Sequence, residues 1–390
     1  MATFLSANRN DLFNSLAMIT GIVDSKHTNE IFANVLLEKK NGQLFLVTTD
    51  KEIQITARVK GVTAENDESI TVNARMLQDI LSVLPAGNTV EFALEDKKLN
   101  IRCGKSRYSL QTLPGAEFPK VKEIEENTVR FELKNKELKK LFANTQYAMG
   151  KTEPRQFLNA TLFSIENNEL AVVATDGYRM AWASTPLSQE VAAQEVVLTR
   201  KTVVEINRLI AGALNSKPEN PPECEGADSV VKVSVSGSDG KKQVRFEVDG
   251  VEMLSKVMDT NYPDYKPIIP TSTQFHLLFN RVEWLAALQR VAVVINNDQT
   301  SRSVCFNIDG NKATLTTNNK KNEDALEELA VQYEGKSPIE LVYNLYYLLD
   351  VLKNVEGQTA SLGFDDEKTT ALLTIEGDPH FRYAIMPVRV

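Results

Sequence analysis

Three stretches of this chain carry one pattern. LLEKKNGQLFLVTTD ends at Asp50, LFSIENNELAVVATD at Asp176 and CFNIDGNKATLTTN at Asn318. Each reads as a short β run, a tight Asn, Asp or Gly turn, a second β run, then Thr with Asp or Asn. A one-sided amphipathic helix follows each. Leu77, Ile80, Leu81 and Leu84 fall at i, i+3, i+4 and i+7, as do Leu345, Leu348, Leu349 and Leu352, with Val203, Ile206, Leu209 and Ile210 close to that spacing. An acid holds the matching place in all three: Asp79, Glu205 and Asp350. Another helix opens each copy, around RNDLFNSL, NKELKKLF and RVEWLAAL, with matching acids Asp11, Glu137 and Glu283. Asp11 to Glu137, Asp50 to Asp176 and Asp79 to Glu205 are equal steps along the chain, and the next three steps agree within a few residues. Markers that keep step this way mean a triplicated domain.

Each copy is expected to be α+β, with two helices and several short antiparallel strands. The copies are too long for solenoid repeats and too few for a propeller. The expected domains are 1–125, 126–270 and 271–390, divided in KEIEENTV and after YKPIIPTST. The second copy is longer, and its surplus is the segment 212–229, rich in Pro, Glu, Asn and Ser, which reads as an exposed inserted loop. Three similar domains in one chain can lie in an arc, and a head-to-tail pair of arcs can close a ring.

Composition excludes several classes. No run of 18 apolar residues exists, so no membrane-spanning helix is expected. MATFLSANRND meets polar residues too soon for a secretory signal. Cys103, Cys224 and Cys305 are odd in number and far apart, giving neither a disulfide framework nor a zinc spacing, which points to the cytoplasm. His27, His276 and His380 are equally scattered, and neither a metal nor a cofactor is expected. The net charge of −8 argues against DNA binding by bulk attraction, but where the cations sit matters more than their sum.

ATDGYR invites a catalytic reading of Asp176. Asp-Gly is a turn dipeptide, however, and the other copies have Asp-Lys and Asn-Asn there, so the shared element is a turn former. No phosphate loop, dinucleotide fingerprint, nucleophile elbow or H-E-x-x-H occurs, and no catalytic residue is expected. What the copies do not share is more informative. The second continues GYRMAW, the third ends AIMPVRV, and the second hands over to the third through NYPDYKPIIP. Apolar, Met-containing pieces near one junction suit either a peptide groove or ordinary interdomain packing. The apolar chain end is accordingly read two ways, as the last strand of a sheet or as one wall of a groove.

TVNARMLQDILSVLP, RYSLQTLPGAEFP, RQFLNATLF, VVATDGYRMA, LTRKTVVEINRL, NYPDYKPIIP and the closing YAIMPVRV occur in this order over nearly the whole chain. With these phrases the sequence closely resembles the β subunit of bacterial DNA polymerase III, the DNA sliding clamp family. The resemblance implies a head-to-tail homodimeric ring of six domains around duplex DNA, held without regard to sequence. It implies a non-catalytic processivity factor that tethers the DNA polymerase III catalytic subunit and other polymerases and repair proteins bearing a clamp-binding linear motif. A clamp loader is implied to open and place the ring.

By position, the resemblance puts a partner-peptide groove at Leu158, Thr175, Gly177, Tyr178, Arg179, Met180, Pro263, Ile268, Asn344, Tyr347, Met386, Pro387 and Arg389. In that reading Arg179 and Arg389 meet polar atoms of the peptide. DNA-facing positions are Lys26, Arg75, Lys136, Lys139, Arg155, Arg200 and Lys201, with Arg9, Lys140, Arg208, Arg281 and Arg290 as further cations on the candidate inward helices. The implied dimer edge sets Arg107, Tyr108 and Leu110 against Val293 and Val294 of the other chain. The sequence departs from the family pattern at Pro267, Tyr178, Glu30 and the 212–229 insertion. A sequence-specific DNA-binding regulator is the alternative; it needs a recognition helix with clustered Arg, Asn or Gln, and none stands out.

Overall fold

A computed structural model describes residues 3–24, 26–62, 66–215, 229–238, 240–295, 302–335 and 338–388. Most of the 212–229 segment, Cys224 and Arg389 lie outside the described residues. Six α-helices occur among them, each starting where a strand stops. Helix α1 (Arg9–Ile19) follows Thr3–Asn8, α2 (Ala74–Val83) follows Glu68–Asn73, and α3 (Asn135–Thr145) follows Val129–Lys134. Helix α4 (Arg200–Asn215) follows Gln194–Thr199, α5 (Arg281–Ile295) follows Phe275–Asn280, and α6 (Leu345–Asn354) follows Ile339–Asn344. A short polar side chain makes most of these junctions. Asn8, Asn73, Asn280 and Asn344 accept from backbone N–H groups of the first helical turn, and Thr199 does so from Thr202. Such caps satisfy donors that a helix start otherwise leaves orphaned.

The chain divides into two compact units. One is Met1–Asn135 with Val204–Val257; the other is Lys136–Val203 with Met258–Val390. The second sequence repeat therefore contributes to both units. In the first unit twelve strands form one sheet. Its hairpin Asn34–Lys40/Gln43–Thr49 turns at Asn41-Gly42, both at positive φ, as a two-residue turn matched to strand twist requires. The hairpin continues into Ile53–Val59, whose other edge pairs antiparallel with Val251–Lys256, Ile55 opposite Met253. The second unit repeats the arrangement in a nine-stranded sheet, where Arg179–Pro186 pairs with Asp378–Ile385 and Ala181 faces Tyr383. The third hairpin lies in a separate four-stranded sheet. There Asp324–Ala330 is an edge strand, in the place that Ile53–Val59 and Arg179–Pro186 occupy in the other copies.

Hydrogen bonds refine the match between copies by one residue. Thr48 donates to the Ile19 carbonyl at 2.7 Å, and Thr317 donates to the Val291 carbonyl at 3.0 Å, so Thr317 corresponds to Thr48. The counterpart of Asp50 is then Asn319 rather than Asn318. All three turn formers behave alike. Asp50 accepts from Glu52 and Ile53 N–H, Asp176 from Tyr178 and Arg179, and Asn319 from Lys321 and Glu323. The third turn holds one more residue after Asn319, and Thr316-Thr317-Asn318 imitates Thr48-Thr49-Asp50 one place early, which is why simple spacing misplaces it.

The first unit is cross-tied by an ion pair. Glu205 on α4 is buried, and Arg208 one turn later binds it with Nε at 3.0 Å from Oε1. The same guanidinium donates to the carbonyls of Ala17 and Met18 at the end of α1. Gly21 leaves the space; a Cβ there would lie 2.6 Å from Arg208 and Glu205 atoms. Arg208→Ala strands a buried carboxylate and two helix-end carbonyls. It is expected to lower unfolding stability by about 2–3 kcal/mol, read by urea denaturation, with Lys restoring only part.

Candidate functional site

In the second unit the segment 258–270 runs over one face of the nine-stranded sheet. Tyr265 and Ile269 are buried against Leu162, Val173, Met180 and Ala384, with Tyr262 and Leu372 packed at the margin. Three prolines (Pro263, Pro267, Pro270) keep this stretch from joining the sheet as a strand, so it seals by side chains. Lys266 ties it down through Glu166 at 2.6 Å.

Beside this seal lies a cavity of about 250 Å³. Arg155, Phe157 and Leu158 form one wall and Pro263 and Ile268 another. Thr175, Gly177, Tyr178, Arg179 and Met180 form the floor, and Thr370, Ala384 and Met386 close the far side. The tail is held to the floor, since Met386 N–H donates to the Tyr178 carbonyl at 2.9 Å and Val388 N–H to the Val342 carbonyl at 2.8 Å. The apolar chain end is thus both things at once, a strand through Ile385 and then cavity wall at half-exposed Met386.

Arg179 lines the floor and bonds inward beneath it. Its Nε contacts Asp176 at 3.0 Å, Nη1 contacts Asp350 at 2.7 Å and Nη2 donates to the Tyr147 carbonyl at 2.6 Å. The guanidinium stacks over Tyr347 at 4.1 Å. Burial opposes its charge, but Tyr383, Asp350 and Asp176 outweigh burial and raise its pKa. Each of its three nitrogens thus has a partner within the protein, although the residue also lines the cavity. Asp176 is a turn former with a second duty as counter-ion. Tyr347 lies beneath Arg179, Asn344 caps α6, and neither lines the cavity; nor does Pro387. Phe157, Thr370, Ala384 and Arg155 line it without having been assigned there from sequence. Phe157 and Ala384 sit inside the quoted phrases RQFLNATLF and YAIMPVRV, which was the available signal.

The expected DNA-facing cations divide into groups. Lys26, Arg75 and Lys139 have no side-chain hydrogen bond or ion pair among the described residues, whereas Lys136 and Lys201 are partnered. Arg200 donates to the Met149 and Gly150 carbonyls at 3.0 and 2.7 Å, and burial lowers its pKa. Arg155 is at the cavity. Arg9 caps the end of α2 through Leu81 and Ser82, and Arg281 caps α6 through Leu352. Arg208 holds α1, Lys140 pairs with Asp378 at 2.8 Å, and Arg290 pairs with Glu327 at 2.7 Å. Residues Arg107, Tyr108 and Leu110 lie on Ser106–Pro114, of which only Thr112 to Pro114 pair with Glu68–Asn73. Val293 projects from the end of α5, 67% exposed, with Val294 half-buried beside it. Among the described residues no cluster of three His, Cys, Asp or Glu is placed to hold a metal.

Three family models match in succession. They are the N-terminal domain of the DNA polymerase III β subunit over residues 3–122, its central domain over 132–264, and its C-terminal domain over 266–389. The chain belongs to the DNA polymerase III β-subunit family. The β sliding clamp of Vibrio cholerae is 32% identical over 382 residues, covering 98% of each chain. That of Escherichia coli K12 is 31% identical over 385 residues, covering 99% of each. A sliding clamp from Pseudomonas aeruginosa, solved bound to griselimycin, superimposes with a TM-score of 0.88 at 27% identity over the full length of both chains. The three copies found in the sequence are thus the family's three clamp domains.

Burial lifts the Tyr347 hydroxyl to about 12, with Asp176 adding to it and Arg179 opposing. Burial likewise raises Tyr147, Tyr343 and Tyr383. Below pH 10 these hydroxyls are protonated in both folded and unfolded chains, so they add no pH dependence. Between about 10 and 12 the unfolded chain loses protons that the folded chain keeps, and stability falls as pH rises. Urea midpoints are expected to be flat with respect to tyrosine up to about pH 9.5 and to decline above 10. Tyr347→Phe should shallow that decline.

Proposed function

We infer that this chain is a sliding clamp, a non-catalytic processivity factor of the replicative DNA polymerase, which works as a closed homodimer around duplex DNA. The observation that carries the ring is one open strand edge at each end of the repeat. Ile53–Val59 is completed by Val251–Lys256, and Arg179–Pro186 by Asp378–Ile385. Asp324–Ala330 has no partner on its outer edge among the described residues, and neither do residues 106–111. Unpaired backbone edges invite another strand. A second copy supplies the missing one.

The first of these junctions also supplies a register for the third edge. Ile55, Ala181 and Ala325 stand opposite Thr48, Ala174 and Thr317 in their own hairpins. Met253 lies two residues past the turn closed by Val248 and Val251, and Tyr108 lies two past the turn closed by Cys103 and Ser106. Since Ile55 faces Met253, Ala325 is proposed to face Tyr108 of a second copy. Charges agree, because Glu323, Asp324, Glu327 and Glu328 then approach Lys105 and Arg107. Val293 and Val294 sit on α5, which packs on the same edge strand.

The domain borders are proposed near 125 and 270. The cavity beside Met386 is proposed as the acceptor for linear motifs of the polymerase catalytic subunit, the clamp loader and repair proteins, with Met180 and Leu158 receiving apolar anchors. Lys26, Arg75 and Lys139 are proposed to touch phosphates loosely, as a ring that slides requires. The proposed compartment is the cytoplasm. Among the described residues no helix is long and apolar enough to cross a membrane.

Binding to short linear duplex should be weak, independent of sequence and strongly salt-sensitive. Loaded on circular DNA by a loader and ATP, the protein should stay in gel filtration at raised salt and leave when the circle is cut. Tight binding to one particular sequence would favour the regulator instead. Truncation after Ile385 should abolish binding of a polymerase-derived peptide, because each lost apolar anchor contributes about 1.5–3 kcal/mol. Sedimentation of the truncated protein should be unchanged.

A further inference from the structure

The last hairpin is broken open at one place. Ala371–Ile375 and Asp378–Ile385 pair antiparallel. Between Leu373 opposite Tyr383 and Ile375 opposite Asp378, however, the single residue Thr374 stands against the four residues Pro379 to Arg382. Pro379 has no N–H to give the ladder, and a strand with surplus residues bows away from its neighbour. A cavity of about 480 Å³ lies at this break, lined also by Pro270 and Thr271 at the end of the segment that seals the sheet. It shares no lining residue with the cavity beside Met386.

Two charged side chains line this break, and only one is satisfied. The Asp378 carboxylate is held by Lys140 Nζ at 2.8 Å and accepts from the His380 N–H at 3.1 Å. The Arg382 guanidinium has no hydrogen bond or ion pair among the described residues. It is held in place all the same, stacked 5.3 Å from the ring of Trp182, the residue opposite it on Arg179–Pro186. Trp182 in turn packs against the buried cluster that contains Leu162, Val173 and Tyr265. The Thr271 and Thr374 hydroxyls of the lining are also without a partner among the described residues, and Leu372 adds apolar wall. A guanidinium has five N–H donors and no acceptor, so with two hydroxyl donors beside it the lining favours an oxyanion. We propose that the break in the last hairpin is a second ligand site, one that takes a phosphate monoester or a carboxylate on a small apolar body, with Arg382 as the anion-binding residue. A ligand there bridges the end of the 258–270 segment to the last hairpin. The site stands independently of the peptide acceptor.

Calorimetric titration of the full chain with phenyl phosphate, benzoate and uncharged benzamide tests this. At low salt at least one of the two anions should bind about three- to tenfold tighter than benzamide. The advantage should shrink as salt rises, and the anion that shows it tells a phosphate ligand from a carboxylate one. Tryptophan emission should shift with the same midpoint, because Trp182 carries the guanidinium. Arg382→Ala should erase the advantage and Arg382→Lys should keep most of it. Truncation after Ile385, which removes a wall of the other cavity, should leave it unchanged. Thermal melting confirms that each variant folds. Equal binding of all three compounds, an advantage that survives Arg382→Ala, or one that the truncation removes would overturn the inference.

Discussion

Strand pairing across repeat boundaries is the constraint on which the rest depends. Each copy builds a three-stranded run that ends on an unsatisfied backbone edge, and an unpaired edge in a sheet of this size is a liability. Within the chain the next copy covers it twice, with Ile55 opposite Met253 and Ala181 opposite Tyr383. The continuity of these sheets explains why the compact units do not coincide with the sequence repeats. It also explains why the closing strand is the last one, since Asp378–Ile385 can complete Arg179–Pro186 only from the end of the third copy.

The cavity follows from that pairing. Completing the edge of Arg179–Pro186 brings Ala384 beside Met180, and the next residue beyond the strand, Met386, becomes a wall. Arg179 stiffens the floor from below through Asp176, Asp350 and the Tyr147 carbonyl. Buried charges persist only when paired this completely. An apolar recess on a rigid floor is suited to short segments with apolar anchors.

Much of this was legible in the sequence because repeats show themselves without any partner for comparison. The two helices per copy, the hairpins and the turn role of Asp176 follow from periodicity and turn chemistry. The cavity-lining positions Leu158, Gly177, Met180 and Met386 came from resemblance, and the structure brings them together. What stayed hidden was the destination of long cations. Arg9, Arg200, Arg208 and Arg281 look like solvated helix-face charges, yet each donates to a backbone carbonyl at or just beyond a helix end. Helical spacing names a face, but it cannot tell whether a flexible guanidinium reaches for solvent or for a neighbouring backbone. The one-residue offset at Asn319 stayed hidden because Thr316-Thr317-Asn318 imitates Thr48-Thr49-Asp50 one place early.

The central claim is that the third open edge is completed by a second copy, in the register of the junction where Ile55 faces Met253. Directly opposed residues in antiparallel strands have Cβ atoms close enough for a disulfide. The deciding measurement is the mass, under denaturing non-reducing conditions, of protein carrying Tyr108→Cys and Ala325→Cys together, with each single substitution as control. The account predicts a covalent species of twice the 43.5 kDa chain, lost on reduction and absent from both single variants. A double variant that stays at one chain mass, or a dimer that forms equally well in the single variants, would contradict it.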